Sequence, residues 1–165
     1  MQEHGSRTAV TAVATRRRTG LLLAVAAAVI ALDQITKTWA EHALADRDID
    51  VVWSLRFHLT HNSGAAFSFA FGSGGLIAIV AIAIVILLIS IGRGIDTSVG
   101  TVSLGLVLGG ALGNLVDRAV RAGDGFLGGR VIDFIVAADW WPVFNVADMA
   151  VSIGGVLLVL TASRE

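Results

Sequence analysis

Long apolar blocks alternate with short polar ones along this chain, and in one place the period of the pattern changes. The first block, Leu21 to Leu32, is followed by Asp33, Lys37 and Trp39, which predicts a helix over about 20–39. From Ile49 the pattern switches to period two. Ile49, Val51, Trp53, Leu55, Phe57 and Leu59 alternate with mostly polar neighbours, as in a strand with one apolar face. Asn62-Ser63-Gly64 supplies turn chemistry, and Phe67, Phe69 and Phe71 then alternate again, which predicts a hairpin. A continuous apolar run from Leu76 to Ile91 predicts a second helix over about 75–92, ended by the tight turn Arg93-Gly94-Ile95-Asp96. A third helix over about 98–117 is rich in small residues that let helices approach closely, among them Gly105, Gly109, Gly110 and Gly113. After a loop, Trp140-Trp141 marks an interface, and Pro142 suits the first turn of a fourth helix over about 142–161.

These lengths match the roughly 20 residues that a bilayer asks of a helix. The predicted fold is an all-α membrane domain of four transmembrane helices, with a small extracytoplasmic β-rich platform between helices 1 and 2. Strands have no place inside hydrocarbon, where unpaired edges are costly. The platform is therefore expected on the outer interface, its aromatic face toward lipid. Residues 1–19 form a cytoplasmic tail and residues 20–162 a single membrane domain. Segments 40–73 and 118–141 are extracytoplasmic, and residues 163–165 are again cytoplasmic. Arg16-Arg17-Arg18 before the first block sets this orientation by the positive-inside rule. The same features admit a second reading: a basic n-region, an apolar h-region and Ala43-Leu44-Ala45 form a pattern like a cleavable signal peptide.

Composition agrees with a membrane protein: 55% of residues are hydrophobic, 15% are charged and the mean hydropathy is +0.79. No cysteine is present, so disulfides, thiolate metal sites and a cysteine nucleophile are excluded. The four histidines have no ligand spacing, and neither metal nor cofactor is expected. A formal net charge of −1 argues against nucleic-acid partners.

The chemistry lies in carboxylates placed where carboxylates are costly. Asp133 sits among Val131, Ile132, Phe134, Ile135 and Val136, and Asp148 sits near the start of the fourth helix. Two acids brought together cannot both ionise. They share a proton, which gives one base and one acid, the couple an aspartic protease uses to activate water. The plainer alternative is a single buried acid bonded to a neighbouring helix. Asp33 and Lys37 are four apart on one helical face, as in an intrahelical ion pair whose lysine snorkels outward. Asn114, Asp117 and Arg118 also share a face, as site residues or as an ordinary charged helix end. Counted at 1.5 Å per residue, Asp33 and Asp148 lie at a common depth of roughly 9 Å below the outer surface. A transporter or proton-relay protein using Asp33, Asp148 and Arg118 is the competing class, but it calls for polar residues near the midplane and an internal repeat. A structural assembly subunit would leave the converging acids unexplained.

Five blocks, taken in order, resemble those of lipoprotein signal peptidase, also called signal peptidase II. They are Asp33-Gln34-Ile35-Thr36-Lys37, Asn62-Ser63-Gly64-Ala65-Ala66-Phe67, Gly110 to Arg118, Val131-Ile132-Asp133-Phe134, and Phe144-Asn145-Val146-Ala147-Asp148. The resemblance favours a retained first helix over a cleaved one. It implies an intramembrane aspartyl endopeptidase of the bacterial cytoplasmic membrane, active toward the extracytoplasmic side, that cleaves prolipoproteins before a diacylglyceryl-modified cysteine. Asp133 and Asp148 would be its catalytic pair. Asp33, Lys37, Asn62, Gly64, Gly110, Asn114, Asp117, Arg118, Asn145 and Ala147 would bind substrate or support the site. The implied partners are lipid-modified prolipoproteins, membrane phospholipids and globomycin-type inhibitors, and a monomer is expected.

Overall fold

A computed structural model of the chain describes residues 3–64, 79, 82–87, 90, 97–121, 123 and 126–162, with side chains from Arg17 onward. Its elements are α1 (Glu3–Ala43), β1 (Ile49–Val52), β2 (Leu55–Asn62), α2 (Ser98–Val120), β3 (Val131–Val136) and α3 (Val146–Ala162). Residues 79, 82–87 and 90 are also helical, within the expected second span, whose remainder lies outside the described residues. Among the described residues, two helices are long and apolar enough to cross a membrane, Arg17–Ala43 within α1 and Ser98–Val120, and the apolar stretch Val146–Thr161 is shorter.

α1 is longer than expected at both ends, because nothing in the tail or in Ala40–Ala43 breaks a helix. α2 begins where the pattern places it, with the Thr97 hydroxyl accepting a hydrogen bond from the Gly100 amide, an ordinary N-cap. α3 begins four residues later than expected. Pro142 lies outside the helix, because Phe144 is drawn into a β-bridge with Ile135 and Asn145 takes the capping position.

The sheet also departs from expectation. Residues 49–60 were expected as one strand, but the chain folds back at Trp53-Ser54, Trp53 adopting left-handed backbone with φ of 50°. A register shift between Asp50 and Val52 then brings Ile49 opposite Phe57, so the period-two pattern runs through the turn unbroken and hides it. Phe67, Phe69 and Phe71, the expected hairpin partner, lie outside the described residues. The partner seen is β3, antiparallel to β2 in the order β1-β2-β3. Val131–Val136, expected as part of a loop, is a strand buried on both faces, and such a strand shows no alternation to read. The sheet thus draws on segments 40–73 and 118–141 both, not only on the one between the expected helices 1 and 2.

Part of the sheet's apolar face turns inward, while Val51 and Trp53 of the same row are exposed. Phe57, Leu59 and Ile49 pack on Ala40 and Leu44 at the end of α1 and on Ile132 and Phe134 of β3. Trp39, Phe57 and Phe134 stack with centroid separations of 5.5 to 6.2 Å. Beneath the sheet, α2 packs against both other helices. A Cβ at Gly113 would stand 2.8 Å from a carboxylate oxygen of Asp33, and one at Gly110 would strike the Ala147 carbonyl. These two glycines let polar groups of three helices meet at one level.

Candidate active site

The polar groups meet where the end of α1, the last turns of α2, β3 and the start of α3 converge. β3 carries Asp133 with its side chain buried among apolar neighbours. Thr60 is its partner across the sheet, so Asn62, two residues further on β2, is a diagonal neighbour on the same face. The Asn62 amide donates to Asp133 Oδ2 at 2.8 Å. Its own oxygen accepts from the Gly64 amide at 2.8 Å, closing a turn in which Gly64 has φ of 75°, a conformation that favours glycine.

Asp148 is the third residue of α3, nearer the helix end than depth-counting from Pro142 suggested. Asn145 and Asp148 cap the helix reciprocally. The Asp148 amide donates to Asn145 Oδ1 at 2.9 Å, and the Asn145 amide donates to Asp148 Oδ2 at 3.2 Å. This is the capping-box arrangement built from Asn and Asp. The N-terminal end of the helix dipole also favours a negative charge at this position.

Two asparagines join the two acids. Buried Asn145 donates through Nδ2 to Asp133 Oδ1 at 2.7 Å and to Asn114 Oδ1 at 3.0 Å. Asn114 in turn donates to Asp148 Oδ1 at 2.9 Å. Both acids line a cleft of about 210 Å³ with Asn62, Ala111, Asn114, Leu115, Arg118 and Val131. Arg118, largely buried, places its guanidinium there and donates to the Gly129 carbonyl at 3.4 Å.

Burial, joined by the nearby Asp148 charge, pushes the Asp133 carboxyl up to about 6, against the lowering effect of the Asn62 and Asn145 amides and of Lys37. Relative to the unfolded chain, the fold therefore favours the protonated form. Between the unfolded value near 4 and the folded value near 6 the native state holds the extra proton, so stability falls as pH rises through that window. A melting series should show about 3 kcal/mol of such loss at most for this one group, and Asp133→Asn should flatten it. A slope unchanged in that variant would contradict the assignment.

Behind the cleft lies a second, closed set of charges. Lys37 does not snorkel outward as its spacing suggested. It is fully buried, with Nζ 2.8 Å from Asp33, 2.8 Å from Asp117 and 2.9 Å from Asn114 Oδ1. Three acceptors satisfy an ammonium, and two acids in reach outweigh the gain from reaching water. Asp33 also accepts from the Ala147 amide at 3.0 Å, and Asp117 from the Ile132 amide at 3.2 Å. All twelve residues singled out in the sequence thus gather in or directly behind the cleft, Gly110 and Ala147 through their mutual contact. Asn114, Asp117 and Arg118 share a face but divide the labour: the first reaches Asp148, the second Lys37, the third the cleft.

Sequence reasoning assigned no role to Gln34, Glu41 or Arg121. Gln34 donates to Asp117 Oδ1 at 3.0 Å and to the Gly113 carbonyl at 3.2 Å. Arg121 binds Asp117 at 2.9 Å and also pairs with Glu41. Their helical spacing was the available signal, since Glu41 follows Lys37 by four and Arg121 follows Asp117 by four.

Residues 25–164 match the family model for signal peptidase (SPase) II. Among curated proteins, the lipoprotein signal peptidase of Mycobacterium avium (strain 104) is 44% identical over 146 residues, spanning 87% of this chain and 79% of that one. That of Rhodococcus jostii (strain RHA1) is 43% identical over 148 residues, spanning 88% and 74%. Among solved structures, a bacterial membrane enzyme determined by the in meso method superposes with a TM-score of 0.70 at 27% identity, covering 88% of each chain.

Proposed function

Because the chain belongs to the signal peptidase II family, a family of bacterial proteases with membrane-spanning helices, we propose that it is an aspartic endopeptidase acting on diacylglyceryl-modified prolipoproteins. The bond broken is the one on the amino side of the lipid-bearing cysteine. The observation that carries this reading is the pair Asp133 and Asp148, presented to one cleft and linked through Asn145 and Asn114. One carboxyl takes a proton from water, the water attacks the scissile carbonyl, and the other carboxyl protonates the leaving nitrogen. The acid and base roles belong to the pair. Asn62 and Asn145 hold Asp133, and Asn145 and Asn114 hold Asp148, so neither carboxylate must reorganise when the carbonyl arrives. Arg118 supplies the positive charge of the cleft.

The chain crosses the cytoplasmic membrane four times with both termini inside, and works as a monomer. The sheet and the cleft then sit at the outer surface, where acyl chains anchored in the outer leaflet would hold the modified cysteine at the depth of the pair. Single cysteines replacing Trp53 and Phe126, both well exposed, should react in intact cells with a membrane-impermeant thiol reagent, and one replacing Gly94 should not. Outside labelling at Gly94 would overturn the topology.

Lipid dependence tests the substrate. The purified protein should cleave a diacylglyceryl-modified prolipoprotein at least about 100-fold faster than the same precursor unmodified, because acyl-chain binding is worth about 0.8 kcal/mol per buried CH₂. Equal rates would contradict the proposed substrate. A charge-relay transporter gains no support from the buried cluster, in which Lys37 is held between two acids and an amide.

A further inference from the structure

Each buried acid behind the cleft holds the backbone amide of the residue just before one of the two cleft aspartates. Asp117 accepts from the amide of Ile132, which precedes Asp133, and Asp33 accepts from the amide of Ala147, which precedes Asp148. Lys37 Nζ joins the two acids, at 2.8 Å from each. Its third bond goes to Asn114 Oδ1 and so turns the Asn114 amide nitrogen toward Asp148. Lys37, Asp33, Asp117 and Ile132 are all fully buried. We infer that the Asp33–Lys37–Asp117 clasp sets the spacing and aim of the two cleft carboxylates, with Lys37 the positioning residue on which both halves converge. This rests on the reading of Asp133 and Asp148 as the catalytic pair.

Strand β3 and helix α3 are consecutive elements, and the connection between them, residues 137–145, is irregular except for the Phe144 bridge. Within it, Asn145 and the Phe144 bridge tie the start of α3 to β3, and a second tie also bears on how far apart the two carboxyls stand. The clasp is that second tie, acting from behind through backbone hydrogen bonds to charged acceptors, which are stronger than neutral ones. Gln34 braces it, bonding Asp117 at 3.0 Å and Asp33 at 3.2 Å, and Arg121 closes its outer side. A lysine whose only role was to neutralise two acids would not need the bond to Asn114. Misplacing a reacting group by about 1 Å can cost on the order of 100-fold in rate.

Three variants separate positioning from folding. Lys37→Met leaves two buried acids facing each other and should destabilise the protein. The triple variant Asp33→Asn, Lys37→Met, Asp117→Asn removes every charge of the clasp together, and its melting temperature should recover toward that of the original protein. Lys37→Arg keeps the charge in a fork that cannot reproduce three converging bonds. With a diacylglyceryl-modified prolipoprotein, kcat should fall about 10- to 100-fold in the triple variant and in Lys37→Arg, while KM stays within about threefold. A triple variant or Lys37→Arg that folds and keeps its kcat would overturn the clasp as a positioning device. If the triple variant fails to fold, Lys37→Arg alone decides. If Lys37→Arg also fails to fold, Gln34→Leu, which removes only the neutral brace, must lower kcat without raising KM. Full kcat in that variant would then count against the proposal. Asp148→Asn run in the same assay distinguishes the two levels. Cleavage by that variant defeats the protease reading, whereas its inactivity beside active clasp variants defeats only the clasp.

Discussion

Asp133→Asn and Asp148→Asn should each lower prolipoprotein cleavage by about 10²- to 10⁴-fold, the usual contribution of positioned acid–base catalysis. Asparagine keeps the volume and can keep part of the hydrogen bonding, so the loss reports the acid–base couple and not the fold. In the proposed mechanism the two carboxyls act as one unit, so the double variant should be scarcely slower than either single one. Stability should hold or rise in Asp133→Asn, since burial already works against its ionised form. Asp139 is a suitable control: it follows β3 closely but is exposed, paired with a half-exposed Arg56 at 3.4 Å, an ion pair of little energetic weight. Its Asn variant should cleave at the original rate, and a large loss there would show the assay to be reading something other than the cleft.

The second large effect is expected at Asn145, which does two jobs that can be separated. It caps α3 through its side-chain oxygen, and it holds Asp133 and Asn114 through its nitrogen. Asn145→Ala removes both, at a cost of about 1 kcal/mol in stability from the cap and more from leaving buried partners unsatisfied. Asn145→Ser restores the capping oxygen but not the nitrogen. Melting temperature should therefore recover most of the way in Asn145→Ser, while kcat remains about 10- to 100-fold low in both. If activity recovers with stability, Asn145 is only a cap.

Much of the site could be read in the sequence because its residues are out of place by composition. Acids and amides inside apolar segments are costly, so Asp33, Asn114, Asp117, Asp133 and Asp148 stand out without a structure. A common level for Asp33 and Asp148 was legible too, from counting along helices, although Asp148 lies closer to its helix end than the count gave. What could not be read was who binds whom. The spacing of Asp33 and Lys37 suggests an intrahelical ion pair with a snorkelling lysine, and only α2, bringing Asp117 and Asn114 to the same ammonium, turns it into a buried hub. β3 was hidden for a related reason. Its residues are buried on both faces, so the chain carries no period there, and its pairing with β2 joins residues some 70 positions apart. The turn at Trp53-Ser54 was masked by the register shift that preserves alternation across it. In each case the missing information is a contact between distant segments, which no local pattern records.

The central claim is that Asp133 and Asp148 together hydrolyse a peptide bond beside a lipid-bearing cysteine. Its most direct measurement is mass spectrometry of the products formed from a diacylglyceryl-modified prolipoprotein, by the purified protein and by the folded Asp133→Asn, Asp148→Asn double variant side by side. The account predicts a fragment whose new N-terminus is the lipid-bearing cysteine from the former and none at matched turnover times from the latter. The same fragment from a folded double variant, or cleavage at any other bond by the unaltered protein, would contradict it.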